Sequence, residues 1–234
     1  MKLAICIPAY NEAQNIAAVI HAVPRHIHGF REIKIFVMDD GSSDETLEIA
    51  RRLGAVVEAG THRGLAQTFA LGIKKALQWG ADVIVNIDAD GQYDPQEIPD
   101  LVEPLLQGDF DMVVGDRQVE KLEFMAPAKK YGNMVGSWFL RRLTGSRVKD
   151  ASSGFRAYNR KAAESIKIES THTYTHENLI QAHYEGLKIA QIPVTFSARG
   201  DNGGSRLIRS VLKHIFKSLQ GILRAWATWR RNKG

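Results

Sequence analysis

Short apolar runs that alternate with stretches of helical periodicity are the feature that most limits how this chain can fold. The runs are LAICIP, IKIFVM, AVVEA, DVIVNI and DMVVG, and helical patterns near 12–22, 43–53, 64–78 and 95–107 separate them. Strands and helices in this order form βαβ units, whose strands are mostly parallel and buried between helices. With 44% apolar residues over 234 positions, the chain can bury one large core. We therefore expect an α/β domain with a mainly parallel central sheet flanked by helices.

The pattern is looser after Gly115 but continues without a linker or an internal repeat. A helix near 128–143, a β-like run SGFRAYN, a helix near 176–186 and the run IAQIPVTFS follow one another. Helix-start signals are present at Asn15, at Ser42 or Ser43, and at the Asp94–Pro95 pair. These features predict one domain over residues 1–206.

Three polar motifs follow predicted strands: PAYNE, DDGSSD and DADGQ. In open α/β sheets, ligands bind at the carboxyl ends of the strands, so these motifs are expected to meet at one edge. The chain contains neither a glycine-rich dinucleotide turn after the first strand nor a G-x-x-x-x-G-K-[ST] loop, so side chains would have to hold a nucleotide. Tyr10 can border a ring, while Glu12, Asp39 and Asp40 can accept hydrogen bonds from ribose or base. The alternative is that these polar residues only cap helices.

The DADGQ motif crowds oxygen ligands together where a buried strand ends. Asp88, Asp90 and Gln92 occupy alternate positions and would share one side if the strand continues. Carboxylate and amide oxygens suit hard octahedral cations, which favours Mg²⁺ or Mn²⁺. Such an ion stabilises a departing diphosphate as a Lewis acid. The alternative is a solvated turn without a metal.

The basic charge of the chain lies in its tail. Residues 206–234 contain eight Lys or Arg and no acidic residue, whereas the rest has 23 basic and 26 acidic side chains. Apolar residues in the tail follow a helical period with basic residues outside the stripe, and tryptophans lie near one end. This pattern predicts a basic amphipathic helix over 207–234 at a membrane surface. The alternative is a helix that docks on the core or pairs with a second copy in a homo-oligomer. Nucleic acid is not expected as a partner, because the tail is apolar as well as basic.

The motifs, taken in order, resemble the family 2 glycosyltransferases of the GT-A fold. IPAYNE, VMDDGSSDET, HRGLAQTFALGIKKAL and NIDADGQYDPQEIPDL look like their nucleotide-sugar half, here about 1–116. VVGDR, DASSGFRAYNRKA and IPVTFSARGDNGGSRL resemble the acceptor half of polyprenyl-phosphate glycosyltransferases similar to dolichol-phosphate mannose synthase, here about 117–206. The resemblance covers about residues 3–210.

The resemblance implies a role for each matching residue. The nucleoside would be held by Pro8, Tyr10, Glu12, Asp39 and Asp40. The metal and the donor diphosphate would be held by Asp88, Asp90 and Gln92. The acceptor phosphate would be bound by Arg117, Lys129, Asn133, Arg199 and Arg206. The chain departs from the family pattern at Lys129 and Asn133, where Arg and Ser are usual, and at Arg206, where Lys is usual.

The implied activity is inverting transfer of a hexose from a nucleotide diphosphate sugar, of the GDP-mannose or UDP-glucose type, to a dolichyl or undecaprenyl phosphate. An enzyme of this kind would act at the cytoplasmic face of a membrane as a peripheral protein. Two alternatives remain open at this point. One is a family 2 transferase with a glycan acceptor, and the other is a catalytically silent membrane-associated subunit that keeps the fold.

Overall fold

The computed structural model describes residues 1–168, 174–199 and 226. Within them, seven strands form one sheet in the order β3-β2-β1-β4-β6-β5-β7. The strands are β1 Lys2–Ala9, β2 Glu32–Asp39, β3 Val56–Ala59, β4 Val83–Asn86, β5 Met112–Asp116, β6 Arg156–Asn159 and β7 Ile189–Pro193. The helices are α1 Ile16–Ala22, α2 Thr46–Arg52, α3 Leu65–Trp79, α4 Ile98–Leu106, α5 Pro127–Thr144, α6 Arg160–Ser165 and α7 Thr175–Tyr184.

The sheet is mainly parallel, as predicted, and β6 is the exception. Strand β1 pairs in parallel with β2 and β4, and β5 pairs in parallel with β7. Strand β6 runs antiparallel between β4 and β5. Its amino end therefore lies at the edge of the sheet where β4 and β5 have their carboxyl ends. The residues just before β6 are brought to that edge.

The core lies on both faces of the sheet, because the central strands are covered by helices on each side. In β1, Leu3, Ile5 and Ile7 belong to one apolar cluster, and Ala4 and Cys6 belong to the other. This alternation follows from the two-residue period of a strand. Both sets are buried, so the strand reads as a continuous apolar run.

Helix α3 packs close to the sheet at Gly72. A Cβ atom at that position would lie 3.3 Å from the Cβ of Cys6 and 3.3 Å from the Cγ of Met38. The glycine therefore sets the helix-to-sheet distance next to β1. Burial also raises the pKa of the Cys6 thiol to about 12, which keeps it protonated and inert.

The helices predicted between residues 12 and 186 are present, and their starts differ from the predictions where loops carry polar motifs. Asp94 accepts a hydrogen bond from the backbone nitrogen of Gln96, as expected for a helix-start residue, although a short 3-10 turn precedes α4. The helix predicted to begin at Ser42 or Ser43 begins at Thr46, because Asp44 accepts a hydrogen bond from the Thr46 backbone nitrogen. Helix α1 begins directly after Asn15, whose side chain donates to Glu12 and does not cap the helix.

The predicted tail helix over 207–234 falls almost wholly outside the described residues. Trp226 is helical and half-buried, and it packs against the apolar cluster that includes Leu140 and Tyr158. At this one position the contact is the one expected of a helix that docks on the core. None of the helices in the described ranges combines the length and the apolar content needed to cross a bilayer.

Candidate functional site

The three strand-end motifs meet at one edge of the sheet, as predicted. Ala9 at the end of β1 lies beside Asp39 at the end of β2, and Cys6 lies beside Asn86 at the end of β4. The loops after β1 and β2 are bonded to each other. The backbone nitrogen of Asn11 donates to Ser42 Oγ at 2.9 Å. The loops at this edge therefore form one connected surface rather than a set of independent turns.

Asp88 and Asp90 form a carboxylate pair just beyond β4. Burial and, to a smaller extent, the charge of the Asp90 carboxylate raise the pKa of Asp88 to about 7, although Arg117 and Arg156 oppose the shift. Burial also raises the pKa of Asp90. Protein encloses Asp88 on nearly all sides, although part of its surface remains accessible. Both carboxylates thus ionise at a cost, which a nearby cation would offset.

Gly154 provides the space that Asp88 occupies. A Cβ atom at Gly154 would lie 2.8 Å from Asp88 Oδ2 and 2.9 Å from Oδ1. The backbone nitrogen of Gly154 donates to the hydroxyl of Tyr93, at 3.1 Å, and its carbonyl accepts from Asn86 Nδ2 at 2.9 Å. The segment before β6 is therefore fixed against the end of β4, with the carboxylate of Asp88 lying over the glycine.

Gln92 connects this pair to the chain beyond β7. Its Nε2 donates to the carbonyl of Ser197 at 2.9 Å, and the Ser197 nitrogen donates to the Gln92 carbonyl at 2.8 Å. The Gln92 backbone nitrogen donates to Asp90 Oδ1 at 3.1 Å. The amide nitrogen is thus used within the protein, which leaves the amide oxygen as the atom that can face a cation.

The donor atoms in this corner fit Mg²⁺ or Mn²⁺. Within the described ranges, no three His, Cys, Asp or Glu side chains are close enough to enclose a metal by themselves. Two partly buried carboxylates with one amide oxygen form an open, oxygen-only set. Ions of this kind are commonly held by one or two carboxylates and complete their shell with water and substrate phosphates.

The two neighbouring carboxylates after β2 have different surroundings. Asp39 Oδ2 accepts hydrogen bonds from the backbone nitrogens of Gly41 and Ser42, at 2.9 and 3.0 Å. Asp39 Oδ1 is buried without a hydrogen-bond partner among the described residues. A buried carboxylate oxygen in this state is costly unless a ligand donates to it. Asp39 therefore has an acceptor atom that a nucleoside could use.

Asp40 anchors the start of α3 instead. Its Oδ1 accepts from the backbone nitrogen of Arg63 at 2.8 Å and from Thr68 Oγ1 at 3.0 Å. Its Oδ2 accepts from the backbone nitrogen of Gly64 at 3.0 Å and lies 3.0 Å from His62 Nδ1. Asp40 is buried and both of its oxygens have protein partners. These contacts match the helix-capping alternative better than a direct contact with a nucleoside.

An aromatic surface borders the same edge. The ring of Tyr10 is exposed and lies 4.4 Å from the ring of His62, measured between centroids. Pro8 is buried within β1 and supports the loop that carries Tyr10. The sequence reading did not assign His62, which belongs to the HRGLA motif. His62 lies in the loop between β3 and α3, and Asp40 holds this loop next to Tyr10.

Arg117 follows β5 and is held by an ion pair. Its Nε and Nη2 donate to the two oxygens of Asp150 at 2.7 and 2.8 Å, and Nη2 also donates to Ser152 Oγ at 2.7 Å. The ring of Phe196 lies 5.1 Å from the guanidinium carbon. Arg117 and Asp150 are both buried. The predicted phosphate-binding arginine is therefore in the site, but much of its hydrogen-bonding capacity is used by Asp150.

Helix α5 brings Lys129 and Asn133 to the same place. Asn133 Oδ1 accepts from Ser152 Oγ at 3.0 Å, which joins it to the Arg117 group. Burial and the charge of Arg117 lower the pKa of Lys129, whereas Asp90 raises it. The ammonium group thus lies within electrostatic range of both Arg117 and Asp90. Two of the three positions where the chain departs from the family pattern, Lys129 and Asn133, therefore place their side chains in the site.

Arg199 joins the two ends of the described catalytic region. Its Nη2 donates to both oxygens of Glu12 at 2.7 Å, and its Nη1 lies 4.0 Å from Asp90 Oδ2. Arg206 lies outside the described residues. Glu12 positions Arg199 beside the carboxylate pair, and its binding of the nucleoside stays a prediction.

The segment DASSGFR, just before β6, contributes three residues whose separate roles its sequence does not indicate. Asp150 pairs with Arg117, and Gly154 makes room for Asp88. Arg156 is fully buried and donates to the carbonyls of Ala151, Ser153 and Thr175. The only signal for these roles in the sequence was the clustering of Asp, Gly and Arg before a strand. The roles depend on β6 running antiparallel.

Comparisons with known proteins agree with this geometry. Residues 4–167 match the family described as Glycosyl transferase family 2. The chain is 30% identical to a UDP-N-acetylglucosamine–dolichyl-phosphate N-acetylglucosaminyltransferase of Methanococcus voltae, with 81% of this chain and 83% of the relative aligned. It is 30% identical to a dolichyl-phosphate hexose transferase of Haloferax volcanii, with 90% and 92% aligned.

The fold also has a match among solved structures. Glucosyl-3-phosphoglycerate synthase from Mycobacterium tuberculosis, crystallised with Mn²⁺, UDP-glucose and phosphoglyceric acid, superposes with a TM-score of 0.72. The match covers 97% of this chain and 79% of the other at 20% identity, so it bears on the fold alone. With the family match over most of its length, the chain belongs to glycosyltransferase family 2 and has the GT-A fold.

Proposed function

We propose that this protein transfers a hexose from a nucleotide diphosphate sugar to a polyprenyl phosphate, with inversion at the anomeric carbon. The observation that carries the proposal is the meeting of two opposite charges in one corner. The partly buried pair Asp88 and Asp90 lies within electrostatic range of Arg117, Lys129 and Arg199. A reaction between two phosphate-bearing substrates needs this combination, because each anion must be neutralised before the two can approach.

The donor would be held on the carboxylate side. Asp88, Asp90 and the amide oxygen of Gln92 would hold Mg²⁺ or Mn²⁺, which when bound neutralises the diphosphate and stabilises it as it leaves. Asp39 Oδ1 would accept a hydrogen bond from the nucleoside, and the Tyr10 ring would border it. The donor is of the GDP-mannose or UDP-glucose type.

The acceptor would be held on the cationic side. A phosphate monoester is largely dianionic near neutral pH, since its second pKa is about 6, so the nucleophilic oxygen needs no base from the protein. Lys129 and Arg199 would attract it, and Asn133 would donate a hydrogen bond. Arg117, fixed by Asp150, would supply a charge of constant position rather than a movable side chain. Holding both substrates in line supplies much of the rate increase.

One displacement at the anomeric carbon follows from this arrangement. The acceptor oxygen attacks as the bond to the diphosphate breaks, so the product has the opposite anomeric configuration. A product that keeps the configuration of the donor would contradict this step. The reaction would take place at the surface of a membrane, where the acceptor lipid is found.

The names of the aligned relatives support a polyprenyl phosphate as acceptor. The Methanococcus voltae and Haloferax volcanii proteins are both named for a dolichyl-phosphate substrate, and each aligns with this chain over most of its own length. The alternative of a glycan acceptor would require a protein base for a sugar hydroxyl. A silent subunit would have no need for a pair of partly buried carboxylates whose ionisation is costly.

The test is a transfer assay with purified protein. UDP- and GDP-sugars are offered with a short polyprenyl phosphate and Mn²⁺ or Mg²⁺, and the glycolipid product is measured. We expect product with one of the donors, and a loss of at least about 10³-fold for Asp90→Asn. Asp100→Asn, an exposed carboxylate on α4, is the matched control and should keep full activity.

The same assay separates the alternatives. A glycan acceptor that works while polyprenyl phosphate does not would favour the first alternative. Binding of donor without any transfer would favour the silent subunit. Full activity of Asp90→Asn in strong chelator would remove the metal assignment.

A further inference from the structure

Arg199 lies across the corner of the site where the metal is proposed to bind. Its Nη2 donates to both oxygens of Glu12 at 2.7 Å, and its Nη1 lies 4.0 Å from Asp90 Oδ2. Only 14% of the Arg199 side chain and 11% of the Glu12 side chain are exposed. The two ends of one guanidinium therefore face two different carboxylates in a largely enclosed place.

The backbone holds Arg199 in this position. The Ser197 nitrogen donates to the Gln92 carbonyl at 2.8 Å, and Gln92 Nε2 donates to the Ser197 carbonyl at 2.9 Å. Phe196 forms a single antiparallel bridge with Tyr93. The chain beyond β7 is thus paired with the loop that carries the proposed metal ligands. A change of partner at Arg199 needs a rotation of its side chain and leaves this pairing intact.

The acidic residues of this corner act on one another, and Arg199 offsets their charge. The charge of Glu12 acts on both Asp88 and Asp90, and the charge of Arg199 acts on Asp90. Neighbouring like charges disfavour the ionised state of a carboxyl group, whereas a neighbouring opposite charge favours it. Without a metal, Arg199 therefore supplies part of the positive charge that the corner needs.

A divalent ion bound by Asp90 would turn this attraction into a competition. Metal–oxygen distances for Mg²⁺ are about 2.0–2.1 Å, so an ion on Asp90 Oδ2 would lie within about 6 Å of Arg199 Nη1. At that separation a dication and a guanidinium repel each other, and salt screens the repulsion little in a partly buried site. The metal and Nη1 of Arg199 therefore compete for Asp90.

We propose that Arg199 is the resident counter-ion of the metal corner, and that Mg²⁺ or Mn²⁺ displaces its Nη1 from Asp90 while its Nη2 stays on Glu12. The inference rests on the proposed function, because it takes the metal assignment from there. It gives Glu12 the role of an anchor that keeps the arginine beside the corner in both states. The displaced Nη1 would then donate to a phosphate oxygen of a substrate.

The test is calorimetric measurement of Mn²⁺ binding to the full chain without donor. We expect Arg199→Gln to bind Mn²⁺ about tenfold more tightly than the parent, because the competing cation is gone. Arg199→Lys, which keeps the charge without the two-ended fork, should fall between the two. Arg142→Gln is the matched control, since it removes one exposed positive charge on α5, about 20 Å further along the helix than Lys129. It should bind Mn²⁺ like the parent.

Thermal unfolding gives a second measurement of the same competition. In a chelator, Arg199→Gln should melt below the parent, because the acidic side chains of the corner have lost a nearby cation. Mn²⁺ should raise the melting temperature of Arg199→Gln more than that of the parent, since an ion that binds the folded state more tightly stabilises it more.

A purely structural role for Arg199 would give the opposite sign, because its loss would disturb the metal ligands and weaken Mn²⁺ binding. An Mn²⁺ affinity that is unchanged or lower in Arg199→Gln would therefore overturn the inference and leave the proposed metal site standing. Arg199→Lys keeps the test decisive if Arg199→Gln does not fold, since it too should bind Mn²⁺ more tightly than the parent. Absence of Mn²⁺ binding in the parent and in both variants would overturn the inference together with the metal assignment.

Discussion

The carboxylate side and the cationic side of the site are built differently. Asp39, Asp88 and Asp90 lie within a few residues of the ends of β2 and β4, the two strands that pair with β1, so strand ends position them directly. Arg117, Lys129 and Arg199 come from the end of β5, from α5 and from the chain beyond β7. The acidic residues thus all follow the ends of parallel strands, whereas the cationic residues come from a strand end, a helix and a loop.

The two sides also differ in how their charges are satisfied. The carboxylates Asp88 and Asp90 have pKa values raised by burial, so their charge is held at a cost. Arg117 has a buried carboxylate partner and Arg199 is bonded to Glu12. A bound cation would therefore stabilise the ionised carboxylates of the acidic side. The guanidinium groups of the cationic side are already held in place by protein carboxylates. Four variants test this difference, in order of expected effect.

The Arg117–Asp150 pair should give the largest loss of stability. Asp150→Ala leaves a buried guanidinium without its carboxylate, which costs about 3–5 kcal/mol in the free energy of unfolding. Chemical denaturation measures it. Glu164→Ala, which removes the acidic partner of the exposed pair with Arg160, is the control and should cost under about 0.5 kcal/mol. Equal losses in both variants would mean that the buried pair does not hold the cationic side.

Gly154 should be the next most sensitive position. Gly154→Ala puts a Cβ atom within 3 Å of the Asp88 oxygens, and relieving the clash should cost about 1–3 kcal/mol of stability. Displacing Asp88 should also weaken Mn²⁺ binding, which calorimetry measures. Gly136→Ala in α5 is the control, since its Cβ would be 3.6 Å from the nearest atom. Unchanged Mn²⁺ affinity in Gly154→Ala would show that Asp88 does not need this space.

Asp88 should make the stability of the metal-free protein depend on pH. Its pKa is raised from 3.8 to about 7, so the folded state holds a proton that the unfolded state releases, and stability falls as pH rises from about 4 to 7. At pH 8, Asp88→Asn should be more stable than the parent by about 1–2 kcal/mol, less than the full shift implies because solvent reaches part of the group. The two proteins should have equal stability at pH 4.

Thermal unfolding in a chelator, repeated with Mn²⁺, measures this effect. The ion should stabilise the parent at pH 8 and have little effect on Asp88→Asn. If Asp88→Asn is no more stable than the parent at pH 8, then ionisation of Asp88 does not destabilise the folded protein.

Lys129 should have the smallest effect. Lys129→Met removes one partly buried charge and should raise the KM for the acceptor phosphate about fivefold, equivalent to about 1 kcal/mol. Because burial and Arg117 lower the pKa of Lys129, the parent should lose affinity for the acceptor at high pH before Lys129→Arg does. A pH profile of kcat/KM for the parent and for Lys129→Arg measures this difference. Identical profiles would place the lysine outside the phosphate site.

The residue pattern alone indicated the acidic side, whereas the cationic residues were indicated only by the family resemblance and their protein partners were not predicted. Apolar runs located the strands, and the polar residues after them could only meet at one edge because parallel strands share their polarity. Asp40 shows the limit of this inference, since a carboxylate next to a site residue can be consumed by a helix start. No local pattern distinguishes Asp39 from Asp40.

The partners of Arg117 could not be predicted for a different reason. Asp150 is 33 residues from Arg117, and their contact depends on β6 running antiparallel between β4 and β5. A run of four strand residues such as Arg156–Asn159 carries no information about its direction. Long-range pairing of this kind is decided by the whole sheet, and a resemblance to a family can indicate the residues but not their contacts.

The reversed direction of β6 has a consequence for engineering. The chain leaves the sheet at the end of β5 and re-enters it at the start of β6 along the same edge, so residues 117–155 form an excursion whose two ends are anchored side by side. Grafting a corresponding excursion from a relative would exchange the proposed acceptor-binding wall in a single replacement. The first four strands, which carry Asp39, Asp88 and Asp90 at their ends, would remain unchanged.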